Sequence, residues 1–229
     1  VHLADDRKGA ALVARLTGLR RQLSELFGFV VPQIRIRDSL DSAPGEYRIR
    51  LGGAMLGGGA VRADRLLAID AGDAAPHARL DGEATRDPSF GCPAIWIMRQ
   101  HRDLAVAEGF LVVDPESVIA THVNQLLLAR AQMLLGPDEV RSLLELIKER
   151  HAALVEARTP QPMALGALTR LLRALLEDGI PLAHPLPILA LRTFEQLRHV
   201  GRDIALQQIG CVQLAEQVDQ FVLRGGGIT

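Results

Sequence analysis

The stretch GFLVVDPESVIATHVNQLL, residues 109–127, changes its pattern at Asp114. Before that point, Phe110–Val113 is a short apolar run of the kind that forms a strand. After it, Val118, Ile119, Val123, Leu126 and Leu127 keep helical spacing. Asp114 stands where a carboxylate accepts free helix amides, and Pro115 takes the first helical position, where no amide donor is needed. The junction therefore separates a mixed α/β half from an all-helical half.

Working upstream, Leu12, Leu16, Leu19, Leu23 and Leu26 recur at spacings of four and three, which predicts an amphipathic helix closed by Gly28. Ile34 and Ile36 alternate with Arg35 and Arg37, and Tyr47, Ile49 and Leu51 alternate with Arg48 and Arg50. Both stretches read as strands with one solvated face. The segment GGAMLGGGA, residues 52–60, reads as a tight turn or bulge, and LLAI, residues 66–69, as another strand. Loop residues dominate from there to Gly91. A buried strand is expected at Ala94–Met98 and a short helix around Asp103–Glu108.

Downstream, Gly136 and Pro137 interrupt the helical pattern, which Val140, Leu143, Leu144 and Ile147 resume. Leu165, Leu168, Leu171, Leu172 and Leu175 make a further helix ending near Gly179. Pro181, Pro185 and Pro187 punctuate the next connection. Helical spacing returns from about Ile188 to His199 and from Ile204 to Val222.

With 229 residues, 48% of them hydrophobic, the chain can bury more than one core. Its 26 Lys and Arg against 27 Asp and Glu give a formal charge of -1, which argues against nucleic acid or anionic lipid as partner. Cys92 and Cys211 stand far apart with no CxxC pairing, as expected of a reducing compartment. No apolar run approaches the roughly 20 residues that cross a bilayer, and no signal core opens the chain. The sequence as it stands reads as soluble and cytoplasmic.

Searches for chemistry return little. A P-loop needs Lys and Ser or Thr after its last glycine, but Ala60, Val61 and Arg62 follow the cluster, so a turn is preferred to a nucleotide site involving Gly57 or Gly59. His101–Leu104 spells the start of a kinase catalytic loop without the segments that would complete it. The seven histidines never form HxxxH or HxH, so no metal is expected. Cys92 and Cys211 read as small buried thiols. The expectation is a non-enzyme with no catalytic residue, cofactor or metal.

Three residues carry open alternatives. Phe90, in the polar loop TRDPSFG, either staples the loop onto the core or anchors a partner at a groove rim; only 3% of the chain is aromatic. Thr121 is either a boundary residue bonding the previous turn's carbonyl or part of such a surface, while Ser117 nearby is read as closing the helix cap. Asp87 either shapes the turn before Pro88 or belongs to the same surface.

The strings FGFVVPQIRIRDSLDSAPGEYRIRLGG (27–53), DPSFGCPAIWI (87–97) and GFLVVDPESVIATHVNQLL (109–127), in that order and spacing, resemble the cytoplasmic region of the FHIPEP family of flagellar and injectisome export gates. A weaker helical match runs to about residue 200. The resemblance implies an α+β fold of several subdomains: an α/β subdomain from residues 1–65 with 115–134, a small inserted α/β subdomain at 66–114, a helical subdomain at 135–222 and a tail at 223–229. It implies a ring of copies, nine-fold in well-studied members, at the cytoplasmic face of the bacterial inner membrane. It also implies a membrane region and a final α/β subdomain that this sequence does not include, either as an excised piece or as a shortened relative. After Pro181, LAHPLPILALRTFEQLRHVG departs from the family pattern.

In flagellar members an apolar dimple between subdomains receives export chaperones with their substrates, and the family's Asp, Phe and Thr there match Asp87, Phe90 and Thr121. The expected function is thus protein docking in type III export, flagellum assembly favoured. The partners would be chaperone–substrate complexes and other export-apparatus proteins. The rival expectation is a ring-assembly module of an injectisome gate that does not recognise cargo directly.

Overall fold

The computed structural model describes residues 8–39, 41–75, 80–156, 165–180 and 182. The described chain is α+β, and its Cα positions cluster into two compact units. One takes the residues up to Leu19 together with Ile34–Leu126, the other Arg20–Gln33 with the residues from Leu127 onward. Two helices, α1 (Lys8–Phe27) and α3 (Pro115–Ala129), contribute to both.

In the first unit, Leu12, Leu16 and Leu19 bury the expected stripe of α1. A hairpin follows, β1 (Glu46–Leu51) paired antiparallel with β2 (Ala54–Ala60). Its turn is Gly52–Gly53, both at positive φ, as a two-residue hairpin turn demands. The register slips between Ile49 and Arg50, so the expected turn and bulge both occur. The glycines beyond the turn, however, continue as strand β2, because Gly58 lies against Tyr47: a Cβ there would sit 2.7 Å from the Tyr47 carbonyl oxygen. Close backbone approach, not alternation of side chains, makes this strand.

A second, four-stranded antiparallel sheet has the order β4 (Gly82–Arg86), β5 (Pro93–Met98), β3 (Arg65–Ile69), β6 (Leu111–Val113). Strand β4 falls where loop was expected; its residues GEATR are mostly exposed and carry no apolar alternation. The sheet has its own core of Leu66, Ala68, Ile97 and Phe110, joined by Ala105 of helix α2 (Arg102–Ala107). Asp114 caps α3 as expected, its carboxylate accepting the Ser117 amide at 2.7 Å.

In the second unit, α1 ends on buried Leu23 and Phe27, and Gly28 closes it with a positive φ. Leu26, expected in the stripe, is 41% exposed; Phe27, four residues after Leu23, takes the buried place. The expected strand at Ile34–Arg37 does not form: the backbone there is irregular and Ile36 is 48% exposed, so the alternation finds no sheet partner among the described residues. Helix α4 (Pro137–Glu156) begins with Glu139 accepting the Gly136 amide, a reciprocal cap. Helix α5 (Leu165–Glu177) buries Leu168, Leu172, Leu175 and Leu176 and ends at Gly179, which has positive φ. The helices expected at 188–199 and 204–222, and Cys211, lie outside the described residues. Among those residues no helix is long and apolar enough to cross a membrane.

Candidate functional site

The loop between β4 and β5 is organised by one carboxylate. Asp87 is 4% exposed, and its Oδ2 accepts the amides of Ser89 at 3.1 Å and Phe90 at 2.8 Å. Its backbone closes the same loop: the Asp87 amide donates to the Cys92 carbonyl, and the Gly91 amide to the Asp87 carbonyl. From outside, the Arg86 guanidinium donates to the Gly91 carbonyl at 2.8 Å. The product is an aromatic ring held outward, since Phe90 is 54% exposed. It is not a staple tucked onto the core. Cys92, read as buried, is half-buried with a free thiol.

Burial pushes the Asp87 carboxyl above its ordinary range, and the Phe90 and Ser89 amides only partly counter this. Its charge reaches two other side chains of this unit. On β1, Tyr47 is held by burial, and then by the nearby Asp87 charge, in its protonated form. On α3, burial lowers the His122 imidazole while Asp87 pulls the other way. His122 is 6% exposed and its Nδ1 lies 2.7 Å from the Tyr47 hydroxyl, the rings meeting edge to face. A phenol kept protonated donates here, which leaves the neutral imidazole as acceptor. The Gly57 backbone of β2 closes against the other ring nitrogen, where a Cβ would lie 3.3 Å from Nε2.

The three residues singled out from the sequence are therefore joined unequally. Asp87 and Phe90 form one built loop. Thr121 is half-buried and lacks the bond to the preceding turn that Thr17 and Thr169 make; it connects to the loop through its neighbour His122. Tyr47 and His122 went unnoticed in the sequence. Tyr47 is the sole tyrosine, and His122 adjoins Thr121, but they stand 75 positions apart and no spacing links them.

The helix carrying Thr121 is anchored at its start. The Arg15 guanidinium of α1 grips both Asp114 carboxylate oxygens, one of them at 2.9 Å, and donates to the Ser117 hydroxyl at 2.6 Å. Ser117 thus meets Arg15 with its side chain and the Asp114 cap with its backbone. Burial pushes Asp114 upward, but the bonds from Arg15 and Ser117 outweigh it and hold the carboxyl below its usual range.

Elsewhere, the glycines once tested as a phosphate cradle pair with β1, Gly57 opposite Ile49 and Gly59 opposite Tyr47. His101–Leu104 spans the turn into α2, where Leu104 is exposed. No group of three or more His, Cys, Asp or Glu among the described residues is arranged to hold a metal.

Comparison with known proteins bears on the whole chain. The flagellar biosynthesis protein FlhA of Helicobacter pylori (strain J99 / ATCC 700824) is 37% identical over 189 residues, 82% of this chain and 25% of that protein. FlhA of Bacillus subtilis (strain 168) is 34% identical over 202 residues, 88% of this chain and 29% of that protein. The chain thus spans between a quarter and a third of these relatives' length. Among solved structures, the Chlamydia pneumoniae CdsV and CdsO protein complex contains a chain of the same fold, with TM-score 0.69 and 21% identity over 83% of this chain and 61% of that one. Nonameric EPEC SctV-C matches with TM-score 0.60 and 17% identity, over 86% and 61%. The FHIPEP family profile matches residues 1–214, from the helix before the hairpin through the helical half, and the chain belongs to the FHIPEP family.

Proposed function

We propose that this chain is a docking module of a type III protein-export apparatus, receiving export chaperones with their substrates at the surface formed by Asp87, Phe90 and Thr121. The observation that carries this reading is the exposed Phe90 ring held outward by a buried carboxylate. An unconstrained loop would turn an apolar ring inward; here two amide bonds to Asp87 fix the backbone that presents it. A fixed aromatic gives a partner large contact area at small entropic cost. The module is not an enzyme, and it works at the cytoplasmic face of the bacterial inner membrane within a ring of copies. Flagellum assembly is favoured because the curated relatives reported above are flagellar biosynthesis proteins. The fold shared with nonameric SctV-C supports the ring.

Anchors of this kind carry about 2 kcal/mol or more of a binding free energy, so Phe90→Ala should weaken chaperone–substrate binding by roughly 30-fold or more. Self-association should be unchanged. Binding that survives Phe90→Ala at full strength would leave only the ring-assembly role.

A further inference from the structure

Behind the Phe90 loop stands a histidine that the docking reading does not use. His122 is almost wholly buried on α3, with Tyr47 of β1 at its Nδ1, the Gly57 backbone of β2 at its Nε2 side and Leu126 beside it on its own helix. The charged group whose field reaches it is Asp87, the carboxylate that holds the Ser89 and Phe90 amides. Histidine is the side chain whose charge changes most readily near neutral pH, and here it sits one residue from Thr121.

We infer that His122 is a proton-sensitive positioning residue for the docking loop: on taking up a proton it competes for the Asp87 carboxylate, weakens its hold on the Ser89 and Phe90 amides, and loosens the aromatic anchor. The geometry gives the direction. Neutral His122 accepts from the Tyr47 hydroxyl and leaves Asp87 to the two amides. Protonated, it becomes a cation with two donor nitrogens beside a carboxylate that already serves two donors. Stability changes in the same sense. Burial holds the folded His122 below the ordinary value of about 6.5, so the unfolded chain takes up protons first as pH falls. The contribution is fully present above that value and is lost as pH drops through it.

The inference rests on the docking reading for its purpose, but its test does not need a partner. In the intact chain, amide exchange at Ser89 and Phe90, corrected for intrinsic rates, is followed by NMR between about pH 7.5 and pH 5 together with the His122 ring signal. Protection of both amides should fall with the titration of His122, and His122→Gln should flatten that dependence. Because the Asp87 charge favours the imidazolium, Asp87→Asn should move the His122 midpoint to lower pH. Amide protection that varies with pH identically in His122→Gln, or a His122 midpoint unmoved by Asp87→Asn, would overturn the inference. A docking assay that fails with Phe90→Ala intact would instead strike the docking reading and leave this coupling standing.

Discussion

Removing the Asp87 carboxylate tests whether the outward Phe90 is built or incidental. In Asp87→Ala both amides lose a charged acceptor, and such bonds contribute about 1.5–3 kcal/mol each. Two facts reduce that sum. Ser89 is only half-buried and Phe90 is exposed, so water replaces part of what is lost. The buried carboxylate is also held at a desolvation cost, as its raised proton affinity shows, and deletion recovers that cost. The net loss should be about 1–2 kcal/mol, or a midpoint lowered by about 3–6 °C in a chain of this length. Asp87→Asn keeps an acceptor oxygen without the charge and should fall between. Thermal unfolding gives the stability, and amide exchange at Ser89 and Phe90 locates it. If Asp87→Ala melts with the wild type and the two amides keep their protection, the carboxylate does not hold the loop and the argument fails.

Other substitutions separate presentation from stability. Phe90→Ala should cost less than about 1.5 kcal/mol, since roughly half the ring already lies in water, yet it should remove chaperone–substrate binding in a titration calorimeter. Asp114→Ala should cost about 2 kcal/mol by deleting a helix cap and stranding Arg15, whereas Asp114→Asn, which still caps, should cost about half as much; chemical denaturation distinguishes them. The Asp114 carboxyl is held low in the fold, so its contribution is present above its ordinary value and is lost as pH falls below it. The acid limb of the unfolding curve should therefore shrink in Asp114→Asn. Gly58→Ala places a Cβ against the Tyr47 carbonyl oxygen and should cost about 1–3 kcal/mol in the same denaturation series.

Helices were legible because their signal is periodic and local. The Leu12–Leu23 stripe, the Asp114–Pro115 start and the Gly179 stop each rest on neighbours within a few residues. Strands were legible only where side chains alternate. Strand β2 is made of glycine and follows backbone approach to Tyr47; β4 is polar and exposed and is held by pairing with β5. Ile34–Arg37 shows the reverse failure, an alternating stretch with no partner strand to satisfy it. The site divides in the same way. Phe90 could be singled out as an aromatic in a polar loop, but whether it faced inward or outward depends on a carboxylate whose burial no pattern announces.

The placement of the site on α3 follows from helix geometry. Consecutive helical residues project about 100° apart, so one rotation of α3 about its axis fixes both His122 and Thr121. With His122 turned in to meet Tyr47, Thr121 is left half-buried at the boundary. That rotation is set at the helix start, where Asp114 caps the first turn and Arg15 of α1 grips the cap. The pair that looks purely structural thereby governs the bearing of the two residues seven and eight positions on. Asp114→Ala should accordingly weaken the Tyr47–His122 bond, visible as a shift of the His122 ring signal, while Asp114→Asn should leave it in place. An unshifted His122 signal in Asp114→Ala would mean that the packing of Val118, Ile119 and Val123 alone sets the helix rotation.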